Sequence, residues 1–184
     1  TDTIQYITIA TTSNATDFGN TSSARRLVAA LANDTRAVYG GGTTSPVGSD
    51  LNEIEYITIA TTGNATDFGD LSITLDATSA LSSPTRGVFI QGINPASARL
   101  NVMEYITIAS TGNATDFGDT TQVIDEHGGA ATSIRMFSFG GTTPTIVNTV
   151  EYATIATLGN GTDFGDLTVA RSHLSAISNA HGGL

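Results

Sequence analysis

The chain has 184 residues and a formal charge of −10, with seven arginines and no lysine, cysteine or tryptophan. Lacking a cationic face to neutralise phosphates, it suits neither nucleic acid nor an anionic membrane surface. Disulfides and thiolate metal sites are excluded by the missing cysteine, and no run of 18 apolar residues is present to span a bilayer.

Thirty-one threonines stand beside frequent Ile and Val, while charged residues make up only 13%, against about 25% in typical globular domains. β-Branched side chains fit a pleated surface, so the composition points to an all-β chain. The sequence opens on Thr1 with no methionine or leader, the start expected of a processed product or an excised piece.

Along the chain, the segment Tyr6-Ile-Thr-Ile-Ala-Thr-Thr-Ser-Asn-Ala-Thr-Asp-Phe-Gly19 recurs at Tyr56 to Gly69, Tyr105 to Gly118 and Tyr152 to Gly165. The tyrosines, and likewise Asp17, Asp67, Asp116 and Asp163, are spaced 50, 49 and 47 residues apart. A fixed period near 50 means stacked supersecondary units. The frame predicts one repeat domain over 1–184, with units at about 1–50, 51–100, 101–148 and 149–184.

In unit one a strand at Tyr6 is followed by Leu27–Leu31, Arg36–Tyr39 and three glycines at 40–42. Unit two is the clearest. Glu55–Ala60 alternates as a strand, Thr62-Gly-Asn-Ala65 is a turn, and Thr66–Leu71 is a short second strand. Thr78–Ser82 and Arg86–Ile90 follow on either side of the Ser83-Pro84 turn, closing at Gln91-Gly92. Unit three supplies Ile134–Phe139 and Gly140-Gly141, and unit four ends in a strand cut short at Ala180–Leu184. Between units lie polar, dissimilar loops over 43–52, 94–101 and 142–149, where binding specificity on a repeated scaffold usually sits.

Four short strands per ~50 residues is the signature of a β-propeller blade. The expected fold is therefore a propeller of four four-stranded blades, with the repeated Tyr and Phe forming the core between them. Three readings fit the short last unit: a compact single-chain four-bladed ring, which ranks first, part of something longer, or a fourth blade completed by another chain. An unsatisfied blade edge is a template for strand addition, which favours assembly.

Gly41-Gly42, then Tyr56, then Phe68, with the later Arg171-Ser172-His173, resemble the kelch-type propeller repeat, with phenylalanine where kelch repeats usually place tryptophan. The words YITIATTGNATDFGDL at 56–71 and Arg86-Gly-Val-Phe89 are similar to kelch-like repeat proteins of aquatic bacteriophages and uncultured aquatic microbes. The resemblance runs over essentially the whole chain and implies the propeller fold. It also implies a virion-associated appendage or an extracellular, self-assembling component.

Candidate chemistry is sparse. Asp-Phe-Gly recurs four times without lysine or a kinase catalytic loop, so it reads as a corner: Asp accepts turn amides, Phe packs and Gly turns. Asp67 with Asp70, Asp116 with Asp119 and Asp163 with Asp166 are weak calcium candidates, since calcium wants six to eight oxygen ligands. Asn14, Asn64, Asn113 and Asn160 head Asn-x-Thr triplets, candidate N-glycosylation sites on a secretory route.

His127, His173 and His181 do not recur with the repeat, and Arg36, Arg86 and Arg135 are expected to pair with acidic groups across units. No nucleophile elbow, phosphate loop or dinucleotide motif occurs, so neither an enzyme nor a cofactor is expected. The sequence is read as a structural and interaction protein in a virion or outside the cell. Its expected partners are copies of itself, neighbouring virion or fibre subunits, or, as the alternative, a surface glycan bound by lectin-like loops; an active site at a channel mouth ranks third.

Overall fold

The alternating Tyr segments form strands, each paired through a turn with the Asp-Phe-Gly segment that follows it. The computed structural model describes residues 1–46, 48–90 and 92–178; the expected close at Gln91, His181 and the run 180–184 lie outside them. Every element among the described residues is a strand.

β1 (Thr3–Tyr6) and β2 (Thr16–Asn20) make a hairpin, and β3 (Arg25–Arg26) pairs with β6 (Thr43–Thr44) as a short ribbon. The first four-stranded sheet runs β4 (Ala29–Ala32), β5 (Arg36–Gly40), β7 (Leu51–Thr58), β8 (Thr66–Leu75). β9 (Ser79–Ser82), β10 (Arg86–Ile90), β11 (Val102–Thr107) and β12 (Thr115–Asp119) form the second. In the third, β13 (Gly128–Ala131), β14 (Arg135–Phe139), β17 (Thr149–Thr154) and β18 (Thr162–Asp166) follow in order. β15 (Thr142–Thr143) and β16 (Thr145–Ile146) close a ribbon in the loop between β14 and β17. All neighbouring strands are antiparallel.

The four strands of unit two form, with β7 starting earlier than expected at Leu51 and β8 running on to Leu75, but they divide between two sheets. β7 and β8 complete the first sheet, and β9 and β10 begin the second. A frame of 1–50, 51–100, 101–148 and 149–184 therefore cuts each sheet in half. The reason is local: the polar loop after the glycines turns the chain back on itself, so Val38 pairs with Tyr56. After the Asp-Phe-Gly strand the chain instead crosses to a new sheet. Each crossing is marked by a left-handed non-glycine residue: Leu27, Ala77, Glu126 and His173 have φ of 56°, 51°, 54° and 53°. Such residues are uncommon, and these keep the 50, 49 and 47 residue spacing of the tyrosines.

The core lies between sheets. Leu31, Val38, Phe68 and Leu71 of the first sheet meet Phe89 and Ile106 of the second. Leu81, Val88 and Phe117 of the second meet Met136, Ala153 and Ile155 around the third. Each Tyr packs edge-to-face on the Phe of its own hairpin, at centroid distances of 5.9–6.3 Å, the arrangement favoured by ring quadrupoles.

The expected core of four Tyr and four Phe is corrected at both ends. Phe18, Phe68 and Phe117 are buried, but Phe164 is 58% exposed and Tyr6 is also exposed, because no further sheet among the described residues covers either. The first strands of the three sheets, β4, β9 and β13, lie side by side. With Ala176 and Ser178 they line a cavity of about 620 Å³ whose wall mixes alanine and leucine with serine, Asn33 and Asp34.

Candidate functional site

The repeated structure of this chain is a joint between successive hairpins. In every Tyr hairpin the register slips by one residue, as between Ile54 and Glu55, so the Phe of the opposite strand has no direct partner. A bulge of this kind frees a backbone carbonyl from the ladder. The freed carbonyl is used by the turn of the next hairpin.

The Gly63 amide donates to the Phe18 carbonyl at 2.8 Å and the Ala65 amide to the Asn20 carbonyl at 2.9 Å. In return the Asn20 amide donates to Asn64 Oδ1 at 3.0 Å. The same three bonds join Gly112 to Phe68, Ala114 to Asp70 and Asp70 to Asn113 Oδ1, at 2.7, 2.8 and 3.1 Å. They recur from Gly159 to Phe117, Gly161 to Asp119 and Asp119 to Asn160 Oδ1, at 2.9, 2.7 and 3.0 Å. The approach is so close that a Cβ at Gly69 or Gly118 would stand 2.5 or 2.7 Å from the facing glycine carbonyl. Backbone contact therefore requires glycine at Gly69 and Gly118.

A buried glutamate completes each joint. Glu55, Glu104 and Glu151 are buried, and their carboxylates accept the amides of Ser22, Ser72 and Thr121 at 3.0, 3.2 and 3.0 Å. A buried carboxylate must be bonded in this way to offset its desolvation. Glu55 also takes the buried Arg25 guanidinium at 2.8 Å. Burial and then the Glu55 charge hold the Tyr39 hydroxyl beside them well above the usual phenol range.

The guanidinium groups of Arg36, Arg86 and Arg135 lie 4.4, 4.5 and 4.6 Å from the ring centres of Tyr56, Tyr105 and Tyr152. Arg36 and Arg86 then reach across to the carbonyls of Ile108 and Ile155, each at 2.8 Å. The acidic partners expected for these arginines are replaced by an aromatic face and a carbonyl. Cation–π contact is compatible with both.

The calcium candidates serve the corners. Asp67 and Asp163 accept the amides of Gly69 and Gly165 at 3.1 Å, while Asp70 and Asp119 contribute backbone to the joints. Asp116 and Asp166 lie on the same exposed edges. Among the described residues no group of three or more His, Cys, Asp or Glu is placed to hold a metal ion.

Asn14, Asn64, Asn113 and Asn160 are all exposed. The last three use Oδ1 in the joints, which leaves the amide nitrogen outside them. His127 is buried, with its pKa pushed down to about 4 by burial, and His173 Nε2 stands 3.0 Å from Glu126. In the connecting loops, Arg99 holds the buried Asp125 at 2.7 Å. The Thr43 hydroxyl lies between Asp50 and Asp76, at 3.0 and 3.1 Å.

Sequence reasoning gave the Asn turn a local role and passed over the glutamates. Their signal was present: Glu55, Glu104 and Glu151 carry the repeat period, with Gln5 at the corresponding place in unit one. No protein-family model matches the chain, and no curated protein matches it.

Proposed function

We propose that the chain is a non-enzymatic structural and interaction protein, a kelch-like β-propeller scaffold of a virion appendage or an extracellular assembly, which presents variable loops to its partners. The three four-stranded sheets serve as three blades, and the β1–β2 hairpin starts the fourth. Supporting this arrangement, the left-handed turn at His173 repeats the one at Leu27. Ala176 and Ser178 also line the same cavity as the first strands of the sheets, which supports reading the segment that carries them as the start of a fourth inner strand.

The observation that carries the reading is the contrast between joint and loop. One set of bonds is repeated three times almost unchanged, while the connections over 43–52, 94–101 and 142–149 share no sequence pattern. A rigid repeated frame bearing dissimilar loops is the form of a presentation scaffold. No recurring set of nucleophile, base and electrophile accompanies it.

The test is replacement of the 142–149 loop by a glycine–serine turn, followed by thermal melting and a panel of ester, glycoside and phosphoester substrates. The melt is expected to stay close to that of the parent, with no turnover by either protein. Turnover by the parent that disappears with the loop would sink the reading.

A further inference from the structure

The three joints within the chain leave one half-joint bare on each outer hairpin, and the two halves match. On β17–β18, the Phe164 carbonyl and the Asp166 backbone occupy the places that Phe18 and Asn20, Phe68 and Asp70, and Phe117 and Asp119 hold in the three made joints. Here they meet no turn among the described residues, and a Cβ at Gly165 would touch nothing within 4 Å. On the β1–β2 side, Ser13, Asn14 and Ala15 occupy the places of Gly63, Asn64 and Ala65, again without a partner among the described residues.

The apolar surfaces match as well. In the made joints Ile108 and Ile155 are fully buried and Ile59 is 44% exposed, whereas Ile9, their counterpart, is 96% exposed. Ile106 is buried in the same way, and its counterpart Ile7 is exposed. Facing outward on the third sheet, Phe164 and Phe137 pack edge-to-face at 5.1 Å. Arg135 lies over Tyr152 as Arg36 and Arg86 lie over their tyrosines, but has no carbonyl to receive it among the described residues. The carbonyl in the repeat position is that of Ile9.

Charge points the same way. The position filled by buried Glu55, Glu104 and Glu151 is Gln5 on the bare face. A neutral amide there can accept the Thr168 amide at no cost of burying a carboxylate.

We infer that these two faces bind each other between copies of this chain, the β1–β2 hairpin of one copy seating on the β17–β18 hairpin of the next. Within one chain no hydrogen bond joins the two faces among the described residues, so each copy offers one half-joint of each kind. Joining unlike faces is a heterologous contact, which gives a ring where the rotation closes and a filament where it does not. This interface deepens the scaffold reading and rests on it: it makes the partner a second copy and locates the contact.

Native mass spectrometry across a concentration series tests it, with two variants that each block one face. Ile9→Glu alters a side chain already in solvent and so leaves the fold intact; Phe164→Glu blocks the other face, with a thermal melt to confirm folding. The parent is expected to give multiples of 18.9 kDa, each variant alone a monomer, and an equimolar mixture of the two a dimer and nothing larger. That last result requires unlike faces.

A parent that stays monomeric at every concentration overturns the inference, and so do multiples that persist in both variants. Either failure leaves the loop-presentation reading standing, since that reading falls only to turnover. Turnover, conversely, would leave the joint untouched.

Discussion

Gly69 lies against the backbone of Gly112 so closely that the facing carbonyl would be 2.5 Å from a Cβ placed there. Gly165, its counterpart on the third sheet, has the same left-handed backbone, φ 139° against 144°, and open space around it. The pair separates backbone strain from joint contact.

Gly69→Ala and Gly165→Ala both carry the strain of that backbone, about 1–3 kcal/mol. Only Gly69→Ala also forces the joint apart, adding about 1–3 kcal/mol of overpacking. Urea unfolding of the two variants measures the difference. Equal losses would mean that the joint has no tight contact at this glycine.

How much of this could be read in advance depends on the range of the interaction. The strands, the turn at Thr62–Ala65 and the burial of Phe68 follow from alternation and turn chemistry, which are local. Sheet membership does not. Nothing in the spacing of Tyr56 says whether it pairs first with Val38 behind it or with a strand ahead, because an antiparallel strand can pair on either edge. The crossings fall instead at Leu27, Ala77, Glu126 and His173, four unlike residues with one backbone conformation. Asn64 was legible as a turn residue and illegible as an acceptor for Asn20, 44 positions away. Arg36 and Arg86 were legible as cations and illegible as donors to the carbonyls of Ile108 and Ile155, 72 and 69 positions away.

Phe68 and Phe164 occupy the same repeat position, the first 2% and the second 58% exposed. Phe68→Ala opens a cavity between the first two sheets and should cost about 3–5 kcal/mol. Phe164→Ala, in a monomer, should cost less than about 1.5 kcal/mol, the lower end for a fully buried side chain. Parallel denaturant melts of the monomeric proteins decide it. A Phe68→Ala variant that melts with the parent would put the core elsewhere.

Asn113 and Asn14 give a matched pair for the hydrogen bond. Asn113 Oδ1 accepts the Asp70 amide at 3.1 Å, and removing it by Asn113→Ala should cost about 0.5–1.5 kcal/mol. Asn14→Ala, where the same oxygen is in solvent, should leave monomer stability unchanged. Asn113→Asp keeps an acceptor and should recover most of the loss. If Asn113→Asp is as damaged as Asn113→Ala, the bond to Asp70 does not carry the effect.

His127 sets a pH dependence with a definite sign. Burial pushes its pKa down to about 4 from 6.5, so the folded state binds fewer protons than the unfolded state between those values. Stability from this group is complete above about pH 6.5 and is lost as pH falls toward 4. By linkage the loss is about 3 kcal/mol. The Asp125 charge pulls the His127 pKa upward but does not overcome burial. Asp76 acts in the opposite sense: burial raises its pKa, so its own contribution falls as pH rises above the ordinary carboxylate value. Where the two windows overlap they oppose each other, so the part that belongs to His127 is read from the difference between the parent and His127→Gln. Urea melts of the parent at half-unit steps should show stability rising with pH from about 5 to 6.5, and His127→Gln should flatten the rise whatever its absolute stability. A slope unchanged in His127→Gln would assign the buried proton to another group.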